Sequence, residues 1–131
     1  MRKTFLIAAV LMLTAFVSSA LTYTWLKPPA PDDAVYLVGA VTITDAERLP
    51  EYQAVAGPLA ARTGGYVPLA FSEPRMLEGE RPTQGLYFVE RYDSLEGLYA
   101  FIESEEFQAA KMLRDQVADV HFMLVVDAYR H

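Results

Sequence analysis

The order of its apolar segments is the feature that most constrains how this chain can fold. Four short runs are rich in valine and aromatic residues, as β-strands are; they cover residues 34–43, 66–71, 86–92 and 120–127. Apolar stripes at helical spacing fill residues 44–65 and 93–117. The resulting order, β-α-β-β-α-β, predicts an α+β domain of the ferredoxin-like arrangement, whose antiparallel sheet has its first and third strands in the centre.

Prolines and capping residues refine this arrangement. Pro68 cannot donate a hydrogen bond to a neighbouring strand, so the second strand is expected at an edge of the sheet. Thr44 and Glu47 have the spacing of a capping box, which predicts the start of the first helix there, with Pro50 as an alternative first position. In the second helical region Ser104 predicts a new helix start, because a serine hydroxyl accepts hydrogen bonds from free backbone N–H groups.

The first strand is apolar on both of its faces. Val35, Leu37 and Val41 share one face, while Tyr36 and Val38 lie on the other. The helices of this fold cover one face of the sheet only, so the other face requires a further covering layer. A second copy of the same sheet is the simplest candidate. We therefore expect a homodimer joined through its sheet faces.

An uncharged segment precedes the domain. The 23 residues from Thr4 to Leu26 carry no charge, and basic residues flank them on both sides. As a helix this segment would be about 34 Å long, which is enough to cross a hydrocarbon core of about 30 Å. The sequence predicts an N-terminal signal anchor, a transmembrane helix, over residues 1–27. A cleaved signal peptide that ends near Ala20 is the alternative.

In both cases the rest of the chain is exported, because the flanking Arg2 and Lys3 resist translocation. With the anchor retained, the protein is a single-pass protein of the cell inner membrane whose domain faces the periplasm or the exterior. After cleavage it would be a secreted periplasmic protein. A proline-rich linker, residues 28–33, separates this segment from the domain, residues 34–131.

Charge and cysteine content limit the possible partners and cross-links. After Lys27 the chain carries 17 acidic and 8 basic residues, a net charge of −9. Nucleic acids and anionic lipid surfaces require a basic face, so neither is expected to bind the domain. The chain has no cysteine, so an exported domain of this size depends on its core or on a partner subunit for stability.

Few residues have the chemistry of a reactive site. His121 is a candidate general base and Arg114 a candidate group for holding a carboxylate, although a structural histidine and a helix-terminal arginine are the simpler interpretations. Tyr36, Tyr52 and Tyr92 are candidates for a ligand pocket between helices and sheet, although aromatic packing explains them equally well. The sequence has no histidine-carboxylate cluster and no nucleotide-binding glycine motif, so no metal and no cofactor is expected.

Several short motifs together resemble those of one known family. They are ITD after the first strand, GGY after the first helix, LEG at residues 77–79, FVERYDS at 88–94 and SEEFQAAKMLR at 104–114. Across residues 34–127 they resemble the family called domain of unknown function 1330. The resemblance implies a dimeric α/β-barrel, in which two ferredoxin-like sheets pack face to face, and it implies no reaction. One departure is LAFS at residues 69–72, where such proteins usually carry an arginine and glycines.

Two classes of function are consistent with these features. The first is a membrane-tethered, extracytoplasmic dimer that binds a small apolar ligand or a protein partner. The second, by analogy with enzymes of the wider barrel superfamily, is a cofactor-independent monooxygenase or isomerase that acts on a small aromatic or apolar compound. An enclosed apolar cavity into which His121, Arg114 or a tyrosine hydroxyl points would favour the enzyme. A filled core with those groups paired or solvated would favour the binding or structural role.

We predict that the N-terminal segment remains attached to the mature protein. Its uncharged residues end with Tyr23 and Trp25, aromatic residues typical of a retained span at the membrane interface. Mass spectrometry of the membrane fraction should therefore detect the intact N-terminus. A soluble mature protein that begins at Leu21 would contradict the prediction.

Overall fold

Seven elements form one antiparallel sheet and three helices. The computed structural model describes residues 29–129, and its elements are β1 (Val35–Ile43), α1 (Leu49–Gly64), β2 (Val67–Ser72), β3 (Leu86–Tyr92), α2 (Leu95–Ile102), α3 (Glu105–Val117) and β4 (Ala118–Asp127). The strand order is β2-β3-β1-β4, and neighbouring strands are antiparallel. This confirms the predicted α+β fold with β1 and β3 in the centre, and it confirms the edge position predicted from Pro68.

Two serine caps divide the second helical region into α2 and α3. The Ser94 hydroxyl accepts a hydrogen bond from the Gly97 amide at 3.0 Å, and the Ser104 hydroxyl accepts one from the Phe107 amide at 3.1 Å. Each bond satisfies an amide group that has no partner within the first turn of a helix. The helix start predicted at Ser104 is therefore confirmed.

The start of α1 differs from the predicted capping box. Asp45, rather than Thr44, accepts the side-chain hydrogen bond at this turn, from the Arg48 amide at 3.2 Å. The predicted capping box is wrong because the backbone amides of Thr44 and Asp45 donate to the Val117 carbonyl, and these bonds fix the turn against the end of α3. The helix begins one residue before Pro50, close to the alternative start predicted from that proline.

The helices pack against one face of the sheet, which we call the helix-facing side. In the register between β1 and β3, Leu37 lies opposite Glu90 and Gly39 lies opposite Phe88, so these four residues share this side. The larger part of the apolar core lies between this side and the helices. Its buried members are Val35, Leu37, Leu59, Ala60, Tyr92, Leu98, Phe101 and Phe107.

Phe88 connects two parts of the core. It packs against the larger cluster and also against a smaller one that contains Val41 and Val117. Gly39 provides the room for this ring on the central strand. A Cβ atom at Gly39 would overlap the Phe88 ring and would lie 2.7 Å from the backbone oxygen of Phe122, so any larger residue would displace its neighbours.

The opposite face of the sheet, which we call the outer face, also carries apolar side chains. Tyr36, Val38 and Val89 are half-buried there, and Leu124 and Val126 of β4 are 47% and 46% exposed. The observed register thus agrees with the expectation that β1 is apolar on both faces. Within the described chain, part of this apolar surface is in contact with solvent.

Two of the sequence predictions concern parts that the structure does not describe. The signal anchor predicted at residues 1–27 lies outside the described residues. Within residues 29–129, no helix is both long enough and apolar enough to cross a membrane. The predicted homodimer involves a second chain and stays a prediction.

Candidate functional site

Four polar side chains meet on the helix-facing side of the sheet, near the junction of the two core clusters. Glu90 and Tyr92 extend from β3, two residues apart and therefore on the same side of the strand. Tyr52 extends from α1 and packs against the smaller core cluster, and Arg114 extends from the last turn of α3. We call Tyr52, Glu90, Tyr92 and Arg114 the polar cluster.

Glu90 is the acid of the polar cluster. It is half-buried, opposite Leu37 of β1 and Pro68 of β2. Burial raises the pKa of the Glu90 carboxyl from 4.5 to about 7, and a hydrogen bond from Tyr92 opposes this rise only in part. A carboxyl group with this pKa gains and loses its proton near neutral pH, which is the property required of a general acid or base.

Tyr92 fixes the position of the Glu90 carboxyl. Its hydroxyl donates a hydrogen bond to Glu90 Oε2 at 3.3 Å. Its ring is fully buried, with ring-centroid distances of 6.0 Å to Phe101 and 5.7 Å to Tyr66. Burial, and then the proximity of Glu90 and Tyr66, raises the pKa of the Tyr92 hydroxyl. The hydroxyl therefore keeps its proton at neutral pH and remains a donor to Glu90.

Tyr52 is influenced by both Glu90 and Arg114. Burial raises the pKa of the Tyr52 hydroxyl, and the charge of Glu90 also acts to raise this pKa. The charge of Arg114, and a hydrogen bond between Arg114 and Tyr52, act to lower this pKa. Both groups therefore act on the same hydroxyl. Arg114 is only 9% exposed, and its Nε and Nη2 atoms donate to Asp115 Oδ1 at 3.0 and 2.8 Å. Hydrogen bonds thus join Tyr92 to Glu90 and Arg114 to Asp115, and the Tyr52 hydroxyl lies within the electrostatic reach of both pairs.

Three of the five site residues considered from the sequence belong to the polar cluster: Tyr52, Tyr92 and Arg114. Tyr36 lies on the outer face, opposite Arg91. His121 is an exposed residue of β4, and its Nε2 atom lies 2.7 Å from Thr42 Oγ1. Among residues 29–129, no histidine and acidic side chains are grouped in a way that could hold a metal ion.

Sequence reasoning missed Glu90, although a signal was present. In the strand LYFVERY, Glu90 alternates with Phe88 and Tyr92, so a carboxylate lies between two aromatic residues on one face. Acidic side chains are rarely buried without a partner, which makes such a position informative. The sequence alone does not say which face of β3 meets the helices, because both faces of the neighbouring β1 are apolar.

Comparison with known proteins agrees with this fold. The family model described as domain of unknown function (DUF1330) matches residues 34–128. A protein of unknown function from Rhodopseudomonas palustris, RPA0582, has a similar structure, with a TM-score of 0.56 and 16% identity over 85% of this chain and 90% of that chain. The methylated form of RPA0582 has a TM-score of 0.58 and 16% identity over 86% and 91% of the two chains.

A similar structure with a described activity is SnoaB, a cofactor-independent oxygenase from Streptomyces nogalater. Its TM-score is 0.52, and its identity is 15% over 76% of this chain and 96% of that chain. At this identity the likeness concerns the fold alone. No curated protein matches the sequence significantly.

Glu90 should make the stability of the protein depend on pH in a defined direction. The folded carboxyl holds its proton up to about pH 7, whereas the unfolded chain releases it near pH 4.5. Between pH 4.5 and about 7 the folded state therefore binds more protons than the unfolded chain. The stability of the folded state falls as the pH rises through this range. Glu90→Gln resembles the protonated acid, so the variant should lose less stability than the wild type across this range, by at most about 3 kcal/mol.

Chemical denaturation at a series of pH values measures this difference. Glu78→Gln, a change at an exposed loop residue, is the matched control and should follow the wild type. Parallel profiles for Glu90→Gln and the wild type would show that burial does not raise the pKa of Glu90.

Proposed function

The chain belongs to the family called domain of unknown function 1330, and we propose that it is a cofactor-independent enzyme that transfers protons on a small aromatic or apolar compound. Glu90 is the general base of this proposal, and the reaction class is that of an isomerase or a monooxygenase. The observation that carries the proposal is the Glu90 carboxyl itself, which is half-buried, hydrogen-bonded to Tyr92 and raised in pKa to about 7.

A base of this kind acts on weakly acidic bonds. At neutral pH a large fraction of Glu90 is ionised, and the carboxylate takes a proton from a phenol or from a carbon next to a carbonyl group. Return of the proton to a different carbon completes an isomerisation. Addition of molecular oxygen to the electron-rich carbon, followed by loss of water, completes a monooxygenation in which the substrate supplies the electrons.

The surroundings of Glu90 suit an apolar substrate. Leu37 and Pro68 are its neighbours across the sheet, and Phe88 lies on the same face of its own strand. Pro68 and Phe71 of the edge strand β2 are exposed, the latter to 52%, so apolar surface beside Glu90 is open at this edge. Phe71 belongs to the LAFS segment, where the family pattern has an arginine and glycines. This difference from the family pattern makes the edge of the sheet beside Glu90 more apolar.

The structural comparison supports the proposal at the level of the fold only. SnoaB, described as a cofactor-independent oxygenase, has a similar fold. A fold of this kind therefore accommodates cofactor-independent oxygenation in at least one protein, while the residues that would perform proton transfer in this chain are argued from their own geometry.

Proton exchange in a probe ketone tests the proposed chemistry before the natural substrate is identified. The probe is 2-tetralone, a small bicyclic ketone with acidic benzylic protons, and NMR follows their replacement by deuterium in D₂O. The wild type should accelerate the exchange, with a rate that rises as Glu90 ionises around its pKa of about 7. Glu90→Gln should be slower by about 10² to 10⁴-fold, which is the usual contribution of a general base.

Tyr92→Phe provides a matched variant for this experiment. It keeps the base but removes the hydrogen bond that lowers the pKa of Glu90. The exchange rate should therefore rise at a higher pH than in the wild type. Equal exchange rates for the wild type, Glu90→Gln and buffer would contradict the proposal and would favour the ligand-binding function.

We further propose that the domain works as a homodimer joined through its outer face and tethered to the inner membrane by residues 1–27. The apolar outer face, with Val38, Val89, Leu124 and Val126, supports the dimer. Burial of each valine or leucine contributes about 1.5 to 3 kcal/mol, which is large beside the ~5 to 15 kcal/mol stability of a typical domain. A tethered dimer that binds a ligand without transforming it would use the same assembly.

The proposed dimer predicts a concentration-dependent stability. Protein that begins at Ala34 should sediment as a dimer and melt at a temperature that rises with protein concentration. Val38→Lys puts a charge at the centre of the outer face and should yield insoluble or unfolded protein. Val55→Lys, at an exposed valine of α1, is the matched control and should keep the dimer. A well-folded wild-type monomer at micromolar concentration would refute the dimer.

A further inference from the structure

We propose that Arg114 and Tyr52 form an anion subsite, so that the compounds bound beside Glu90 carry a carboxylate group. The ligand class is then a small aromatic or apolar monocarboxylate. This inference rests on the proposed function for the location of the reaction, but the subsite is defined by binding and is tested separately from the reaction.

Arg114 is a buried positive charge whose ionic partner is exposed. Within residues 29–129, the buried charged side chains are Arg91 and Arg114. A single oxygen of Asp115 accepts from both Nε and Nη2 of Arg114, and the Asp115 side chain is 54% exposed. Water screens an exposed carboxylate, so this pair offsets the desolvation of the guanidinium only in part. The remaining nitrogen, Nη1, takes no part in the pair with Asp115.

The guanidinium of Arg114 acts towards the interior as well as towards solvent. Its charge and a hydrogen bond act on the Tyr52 hydroxyl, and Tyr52 packs against the smaller core cluster that also contacts Phe88. An arginine that served only the C-terminus of α3 would be expected at the surface, where the last carbonyl groups meet water. Arg114 therefore interacts with a side chain of the interior as well as with its exposed partner.

The polar cluster has one cation, Arg114, which limits the charge of the ligand that it can hold. The ionic partner of Arg114, Asp115, lies at the exposed end. A carboxylate offers two oxygens to a planar guanidinium and brings a single charge. A phosphate would bring a second negative charge close to Asp115 and Glu90, and the cluster contains no second cation for it.

The polar cluster also gives the ligand an orientation. Burial raises the pKa of Tyr52, so its hydroxyl stays protonated and can donate to a ligand oxygen beside Arg114. The apolar body of the ligand then lies against Phe88, and its acidic C–H bond faces Glu90. Arg114 and Tyr52 bind the carboxylate in this arrangement, while Glu90 is the residue that takes the proton.

Binding of a matched acid and ester tests the subsite. The probes are 2-naphthylacetate and its methyl ester, which share a ring system and differ in charge, and naphthalene fluorescence reports their affinity for the full-length protein. The wild type should bind the acid at least about tenfold more tightly than the ester, as expected of a charge-assisted pair. Arg114→Gln should lose this preference while it retains its affinity for the ester. Arg62→Gln, at an exposed arginine paired with Glu106, should keep the preference.

Two further variants keep the test decisive if Arg114→Gln does not fold. Tyr52→Phe retains the ring and the nearby charge and should reduce the acid preference severalfold. Arg114→Lys retains the charge without the planar donor pair and should keep only part of the preference. Equal affinity of the wild type for acid and ester, an unchanged preference in these variants, or no binding of either probe would overturn the subsite.

The subsite and the proposed reaction fail in different ways. An acid preference that depends on Arg114, without proton exchange that depends on Glu90, would leave a carboxylate-binding protein and would refute the reaction. Proton exchange that depends on Glu90, without an acid preference, would leave the reaction and would refute the subsite.

Discussion

The register between β1 and β3 determines which side chains meet the helices. It places Val35 opposite Tyr92, Leu37 opposite Glu90 and Gly39 opposite Phe88, all on the helix-facing side. A slip of one residue would exchange the two faces of β3 and direct Arg91 inwards in place of Glu90. The ring of Phe88 over Gly39 works against such a slip, because no other residue of β1 lacks a Cβ atom. The apolar core and the polar cluster therefore depend on the same pairing.

Within that register Glu90 opposes the stability of the fold. An ionised carboxylate among apolar neighbours is destabilising, and the hydrogen bond from Tyr92 at 3.3 Å compensates it only in part, which leaves its pKa raised to about 7. A glutamine or a leucine at this position would give a more stable core. Residues that break local consistency in this way are expected at functional sites, where a reactive group is kept at a cost in stability.

Much of the fold followed from the sequence because local chemistry specified it. The order of apolar runs gave the topology, Pro68 gave the edge strand, and Ser104 gave a helix start; each rests on residues close in the chain. The capping box at Thr44 failed because a carbonyl group distant in the chain, at Val117, holds that turn. Glu90 was missed for a related reason: its raised pKa comes from burial, and burial depends on which face of β3 the helices cover.

The two faces of the sheet then divide the proposed tasks of the molecule. The polar cluster takes its members from β3, α1 and α3, so it exists only when both helices are packed on the sheet. The outer face contributes none of these side chains, and its apolar residues are free to serve association without touching the reacting groups. Adjacent residues such as Glu90 and Arg91 point to opposite faces, because side chains alternate along a strand. A single strand can therefore supply a base to one face and an interface to the other, and substitutions can perturb one task while leaving the other in place.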